Sequence, residues 1–169
     1  MRAVGLLAVE ADARGSVGRP LHRYALAADA PSLGLEPPAF PLLASMLTRV
    51  AARAGIAPDD AAAAGAEQGR ALAADYGDGG GNGHGCVPAL SAALADMGFD
   101  PAVGDGGAAV TIAFTHCPFR ELAEAHPEVV CHLHRGLIEG FLEQLGGADV
   151  DRFATLADRD PCQVELSVG

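Results

Sequence analysis

Three of the four cysteines fall in the last third of the chain, Cys117, Cys131 and Cys162, each beside a predicted element boundary. Cys117 closes an alternating apolar run (Val110, Ile112, Phe114), and Pro118 follows it in the position favoured for the first residue of a helix. Cys131 lies one turn into the next helical pattern, and His134, three residues on, falls on the same side of that helix. Cys162 opens the final predicted strand, just after the turn-forming Asp158-Arg-Asp-Pro161. A strand end, a helix start and a hairpin tip can meet in space although they are distant in sequence. Three thiols and an imidazole would then form a soft donor set of the kind that holds zinc or an iron–sulfur cluster. A plainer outcome uses the same residues: cysteine is among the most often buried residue types, and three of them can be small core groups.

The elements that must position these residues are set by a chain of 169 residues, half of them hydrophobic. That is enough for one good core, or for one domain and a fragment of another. Tryptophan is absent and aromatics are few, so the core is expected to rest on Leu, Val, Ala and a few Phe. The formal net charge of -11 repels nucleic acid over most of the surface. Contact with DNA would therefore need a local basic patch or a further segment. No run of about 18 apolar residues occurs, so no transmembrane helix and no membrane partner are expected. The N-terminus lacks the basic flank and apolar stretch of a signal peptide. The expected location is cytoplasmic, where cysteines are better read as metal ligands, reactive thiols or core residues than as disulfides.

Taken in order, residues 1–26 read as a β-hairpin, with strands Val4–Val9 and Leu21–Leu26 around a Gly- and Arg-bearing turn. Residues 27–39 carry three prolines and read as a linker. Leu42, Leu43, Met46, Leu47, Val50 and Ala51 recur at helical spacing up to Gly55. After a turn at Gly55–Pro58, Asp59 is placed to cap an alanine-rich helix toward Tyr76. The glycine-rich run 77–87 reads as a flexible loop, and Cys86 is left out of the ligand set on that ground. Residues 88–169 then give a short helix around Leu90 and Leu94, a hairpin from Phe99–Val103 and Ala108–Thr115, and a helix from Phe119 to Ala125. A long helix follows, with Val130, Leu133, Leu137, Ile138, Phe141, Leu142 and Leu145 as its stripe and Gly146-Gly147 as its C-cap. A second hairpin from Asp149–Ala157 and Cys162–Val168 closes the domain. The expected class is α+β: an antiparallel sheet covered by helices, preceded by the N-terminal hairpin and a linker with helices.

Two stretches carry a resemblance. Gly18-Arg-Pro-Leu-His-Arg-Tyr24 resembles the Gly-Arg-Pro-x-x-x-Tyr wing of ArsR/MarR-like winged helix-turn-helix transcriptional regulators. In the second half, Gly98-Phe-Asp-Pro, Cys117-Pro-Phe, Leu122-Ala, Pro127-x-x-Val-Cys131-x-Leu-His134-x-Gly-Leu-x-x-Gly140 and Cys162 resemble the sensor half of the regulators related to the repressor of iron–sulfur cluster assembly operons. The same plan is similar to the 4-vinyl-reductase (V4R) ligand-binding domain. The resemblance implies a redox-sensing regulator in which Cys117, Cys131 and Cys162 hold an iron–sulfur cluster, with zinc as the alternative. It implies His134 as fourth ligand, with His132 and His116 as weaker candidates. It also implies a homodimer, with contacts through the 27–76 segment, and DNA contact through Arg14, Arg19 and Arg23 on phosphates. The helices that precede the wing in that family are missing here, so the chain is expected to be a fragment, or to start downstream of its true beginning, and not to bind a specific site by itself.

Two other readings compete. In the V4R reading, the hairpin and long helix enclose an apolar small molecule and the cysteines only support the fold. An enzyme using Cys131 with His134 or His132 as nucleophile and base is not expected, because no third residue to orient the base and no oxyanion motif is recognisable.

Overall fold

Glycine and alanine on the facing sides of two helices decide how the larger part of the molecule is put together. The computed structural model describes residues 7–12, 21–26, 39–76, 85–105 and 109–169. The chain divides into two compact units, residues 1–42 and 43–169.

In the first unit, β1 (Leu7–Asp12) and β2 (Leu21–Leu26) pair antiparallel, with Leu7 opposite Leu26 and Glu10 opposite Arg23. The hairpin is therefore present, its first strand running on to Asp12 instead of ending at Val9. The expected contacts Arg14 and Arg19, and the proline-bearing segment 27–38, lie outside the described residues. Arg23 is placed on β2.

Helix α1 (Ala39–Ala54) ends at Gly55, whose φ of 68° is a left-handed backbone that glycine adopts without a Cβ clash. Helix α2 (Pro58–Ala73) starts on a proline, whose fixed φ suits the first turn. Its N-cap is Ala57, with no side-chain cap; Asp59, expected in that role, lies inside the first turn beside Asp60. There the carboxylates favour the positive end of the helix instead of bonding its amides.

The second unit continues with α3 (Cys86–Asp96), β3 (Pro101–Asp105), β4 (Ala109–Phe114), α4 (Arg120–Ala125), α5 (Pro127–Leu145), β5 (Ala148–Ala154) and β6 (Gln163–Val168). The two hairpins join through β4 and β6 into one antiparallel sheet of order β3-β4-β6-β5. Alternation along β4 and β6 turns Val110, Ile112, Phe114, Val164 and Leu166 to one face. Ile138, Phe141 and Leu142 of α5, with Leu90 and Leu94 of α3, cover that face and complete the core. The fold is α+β, as the residue pattern implied.

Behind this layer α2 lies along α5. Gly65 and Gly69 abut the backbone of α5 at Leu133 and Leu137, and Gly136 and Gly140 abut the Ala62 and Ala66 carbonyls of α2. Residue numbers rise together along the contact, so the two helices run parallel. Each glycine pair has the Gly-x-x-x-Gly spacing that lets helix backbones approach closely. Any Cβ at these four positions would collide with backbone atoms of the neighbouring helix. Arg70–Glu143 at 2.8 Å and Arg135–Asp59 at 3.3 Å bridge the rim of this pair.

Three local expectations change. Cys86 does not lie in a loop but opens α3, buried in the main core. Pro118 does not begin a helix; Phe119 is the N-cap and α4 starts at Arg120. Leu133 does not join the buried stripe of α5, being 38% exposed, because α2 meets the helix there through backbone and glycine.

Candidate metal centre

Each sulfur is delivered by a different element, as the local chemistry of those elements requires. Cys117 sits in the short connection between β4 and α4, where Thr115 is fixed by bonds from its amide and hydroxyl to the Asp100 carbonyl, and from its hydroxyl to the Asp100 carboxylate. Cys131 lies one turn into α5, and the i, i+3 geometry of that helix brings His134 to the same side. Cys162 stands immediately before β6, and its carbonyl accepts the Phe114 amide, which ties it to the end of β4.

These four residues line a single recess of about 10 Å³ together with Phe119, Ala123, Val130, Phe153 and Leu156. It lies where the main core, which contains Cys162, meets a satellite cluster of Ala123, Val130 and Cys131. Cys131 and Cys162 are buried at 6% and 4% exposure, whereas Cys117 is half-buried. His116 is exposed and His132 does not reach the recess, so the weaker ligand candidates separate from His134. Cys86 does not line it either.

His134 is boxed by aromatic rings: stacked on Phe99 at 4.3 Å between centroids, tilted against Phe114 at 4.7 Å and edge-on to Phe153 at 5.5 Å. Its Nε2 is buried without a hydrogen-bond partner. Burial alone pushes its pKa down to about 3, so the imidazole is neutral and carries a lone pair. A buried polar nitrogen left unbonded costs about 1–3 kcal/mol, so its retention calls for a reason.

Burial also pushes all three thiols up, Cys162 to about 11. Cys162 is raised further by Cys117 and Cys131, and Cys131 by Cys117, which places the three sulfurs within mutual electrostatic reach. Opposing this, the Phe119 amide favours the thiolate of Cys117 and the Leu156 amide that of Cys131. Backbone N–H groups directed at sulfur are the outer-shell donors that tune metal–thiolate sites. The surrounding rings and the two amide donors were not legible in the sequence, since loop amides carry no side-chain signature. Phe99, Phe114 and Phe119 stood beside or within the stretches that drew attention, but nothing in the sequence gathered them around His134.

Among the described residues, no group of three or more His, Cys, Asp or Glu side chains already stands in an arrangement that would hold a metal ion. Protonated thiols pack as small apolar groups, and sites of this type close only as the sulfurs lose their protons. The donor types, three thiols and an orphaned imidazole nitrogen, are those that soft ions prefer, but they do not stand as a metal-holding group in this structure. The recess has room for about one water-sized centre. A [2Fe–2S] or [4Fe–4S] core adds several atoms and needs the surrounding segments to part.

Comparison of the chain with protein-family models, with curated proteins and with solved structures returns no match. Among the described residues, no helix is long and apolar enough to cross a membrane.

Proposed function

We propose that the chain is the sensor portion of a transcriptional regulator, in which Cys117, Cys131, Cys162 and His134 bind a soft inorganic centre. One observation carries this reading: three thiols from three separate elements line one recess with a buried, neutral imidazole whose Nε2 has no partner. The size of the recess favours a single ion such as zinc over the iron–sulfur cluster that the family resemblance implies. Bound there, the ion would cross-link the β4–α4 connection, α5 and the start of β6. No catalytic step is assigned to the site. This recess, at about 10 Å³, has no room for a V4R-type ligand. The test is metal and acid-labile sulfide analysis of anaerobically purified protein, with Co²⁺ titration of the metal-free form. About one equivalent of metal per chain, lost in Cys131→Ser, supports the proposal, and labile sulfide would identify a cluster. Colourless, metal-free protein that also ignores added Co²⁺ and Zn²⁺ leaves only the packing role of the cysteines.

The β1–β2 hairpin, with Arg23 on its second strand, supports the regulator half of the reading. Homodimerisation through α1 completes it. Phe40, Leu42, Leu43, Met46, Leu47 and Val50 are each at least half exposed, on a helix with no substantial packing against another described element. Six large apolar side chains exposed along one helix form a contiguous patch of the kind that marks an interaction surface, and a second copy of α1 is the occupant proposed.

A further inference from the structure

The three thiols are unequally accessible, and the difference has a structural cause. Cys131 and Cys162 are nearly sealed, while Cys117 and the 44%-exposed Phe119 lie on the segment that forms the outer wall of the recess. That wall, residues 115–120, is pinned at both ends. At one end Thr115 is bonded to Asp100 through three contacts of 2.6–3.0 Å. At the other, Arg120 reaches across to the β5–β6 connection and donates to both carboxylate oxygens of Asp160, at 2.6 and 3.4 Å. The same guanidinium donates to Glu124 at 2.8 Å, so its direction is fixed from two sides. Arg120 thus ties the segment bearing Cys117 to the segment bearing Cys162.

We propose that the Arg120–Asp160 pair is a latch on this wall, controlling how readily ions and small reagents reach Cys131 and Cys162. Opening at the latch loosens the Cys117–Phe119 stretch, whose carbonyls accept the Arg120 and Ala123 amides of α4, so that it moves with the start of α4 about the Thr115–Asp100 anchor and leaves the α2–α5 pair and the sheet intact. Among the described lining segments, this is the one whose ion pair joins the stretch bearing Cys117 to the stretch bearing Cys162. The proposal deepens the metal-site reading by assigning its access route, and it rests on that reading only for what passes through.

The test is site-resolved alkylation of the metal-free chain with a neutral maleimide, followed by peptide mass spectrometry at low conversion. Cys131 is the reporter, because neither Arg120 nor Asp160 is among the groups that perturb its thiol, so its rate reports access. Cys117 is unsuitable, since Arg120 itself lowers its pKa. Cys86, buried in the main core, reports loosening of the whole domain. In Arg120→Gln and in Asp160→Asn the Cys131 rate is expected to rise about three- to fivefold, the scale an exposed ion pair permits. The double variant is expected to match the singles, because both remove the same interaction. Cys86 should keep its wild-type rate throughout. An unchanged Cys131 rate in both variants, or a parallel rise at Cys86, overturns the latch. Because no metal is present in the assay, that failure would leave the metal-site reading standing.

Discussion

Replacing His134 by phenylalanine separates two properties that the wild-type imidazole combines. As a packed ring it fills the space between Phe99, Phe114 and Phe153, and a phenyl group fills the same space. As a buried base it leaves Nε2 unbonded, and removing that nitrogen relieves a desolvation cost. His134→Phe is therefore expected to leave the metal-free protein as stable as wild type, or more stable by about 1 kcal/mol, measured as the urea midpoint. The same variant should lose the high-affinity binding of Co²⁺ or Zn²⁺. A substantial fall in stability with metal binding unchanged would show the imidazole to be a structural group. Cys131→Ala and Cys162→Ala test the sulfurs likewise. Each removes only a small buried group, so a cost of about 1–2 kcal/mol is expected, yet each should reduce metal binding far more than an equal loss of stability explains. At this scale the sequence was informative about Cys131 and His134, because helical spacing by itself puts residues i and i+3 on one side. It carried no sign of the Phe119 and Leu156 amides, which belong to loops.

The α2–α5 pair makes the sharpest prediction among the elements. Gly136→Ala and Gly69→Ala would each push a methyl group into a backbone carbonyl of the opposite helix, which cannot rotate away as a side chain would. The helices must separate along their length, and a loss of about 2–4 kcal/mol is expected from thermal or urea unfolding, at the upper end of overpacking costs. Gly55→Ala is the control. Nothing lies within 4 Å of a Cβ there, so only its φ of 68° resists the change, at about 1 kcal/mol. A gain in stability for Gly136→Ala and Gly69→Ala, the sign that helix propensity alone gives, would mean that close approach does not govern α2 and α5. The sequence reading placed the alanine-rich helix in a connecting segment, and the physical reason is clear. Small residues scarcely register in a hydrophobic periodicity, and their value here is to let backbone touch backbone. By contrast the sheet strands were legible, because alternation at Val110, Ile112, Phe114, Val164 and Leu166 has the period of the pleat itself.

For the molecule as a whole, the exposed face of α1 predicts self-association. Leu47→Glu with Val50→Glu is expected to convert a dimer to a monomer in sedimentation, with the helical circular-dichroism signal and any Co²⁺ binding by the wild-type chain retained. A wild-type chain that sediments as a monomer at tens of micromolar would remove the dimer from the proposal. The amino-acid sequence alone determined the class of fold, the order of most elements and the residue types that bind soft metals, because periodicity, turn chemistry and thiol chemistry are local properties. Only the tertiary structure decided which histidine joins the three thiols, that Cys86 belongs to the core, and that α2 packs on α5. Those outcomes depend on which segments meet, and meeting is set by the summed packing of the chain rather than by any stretch of it.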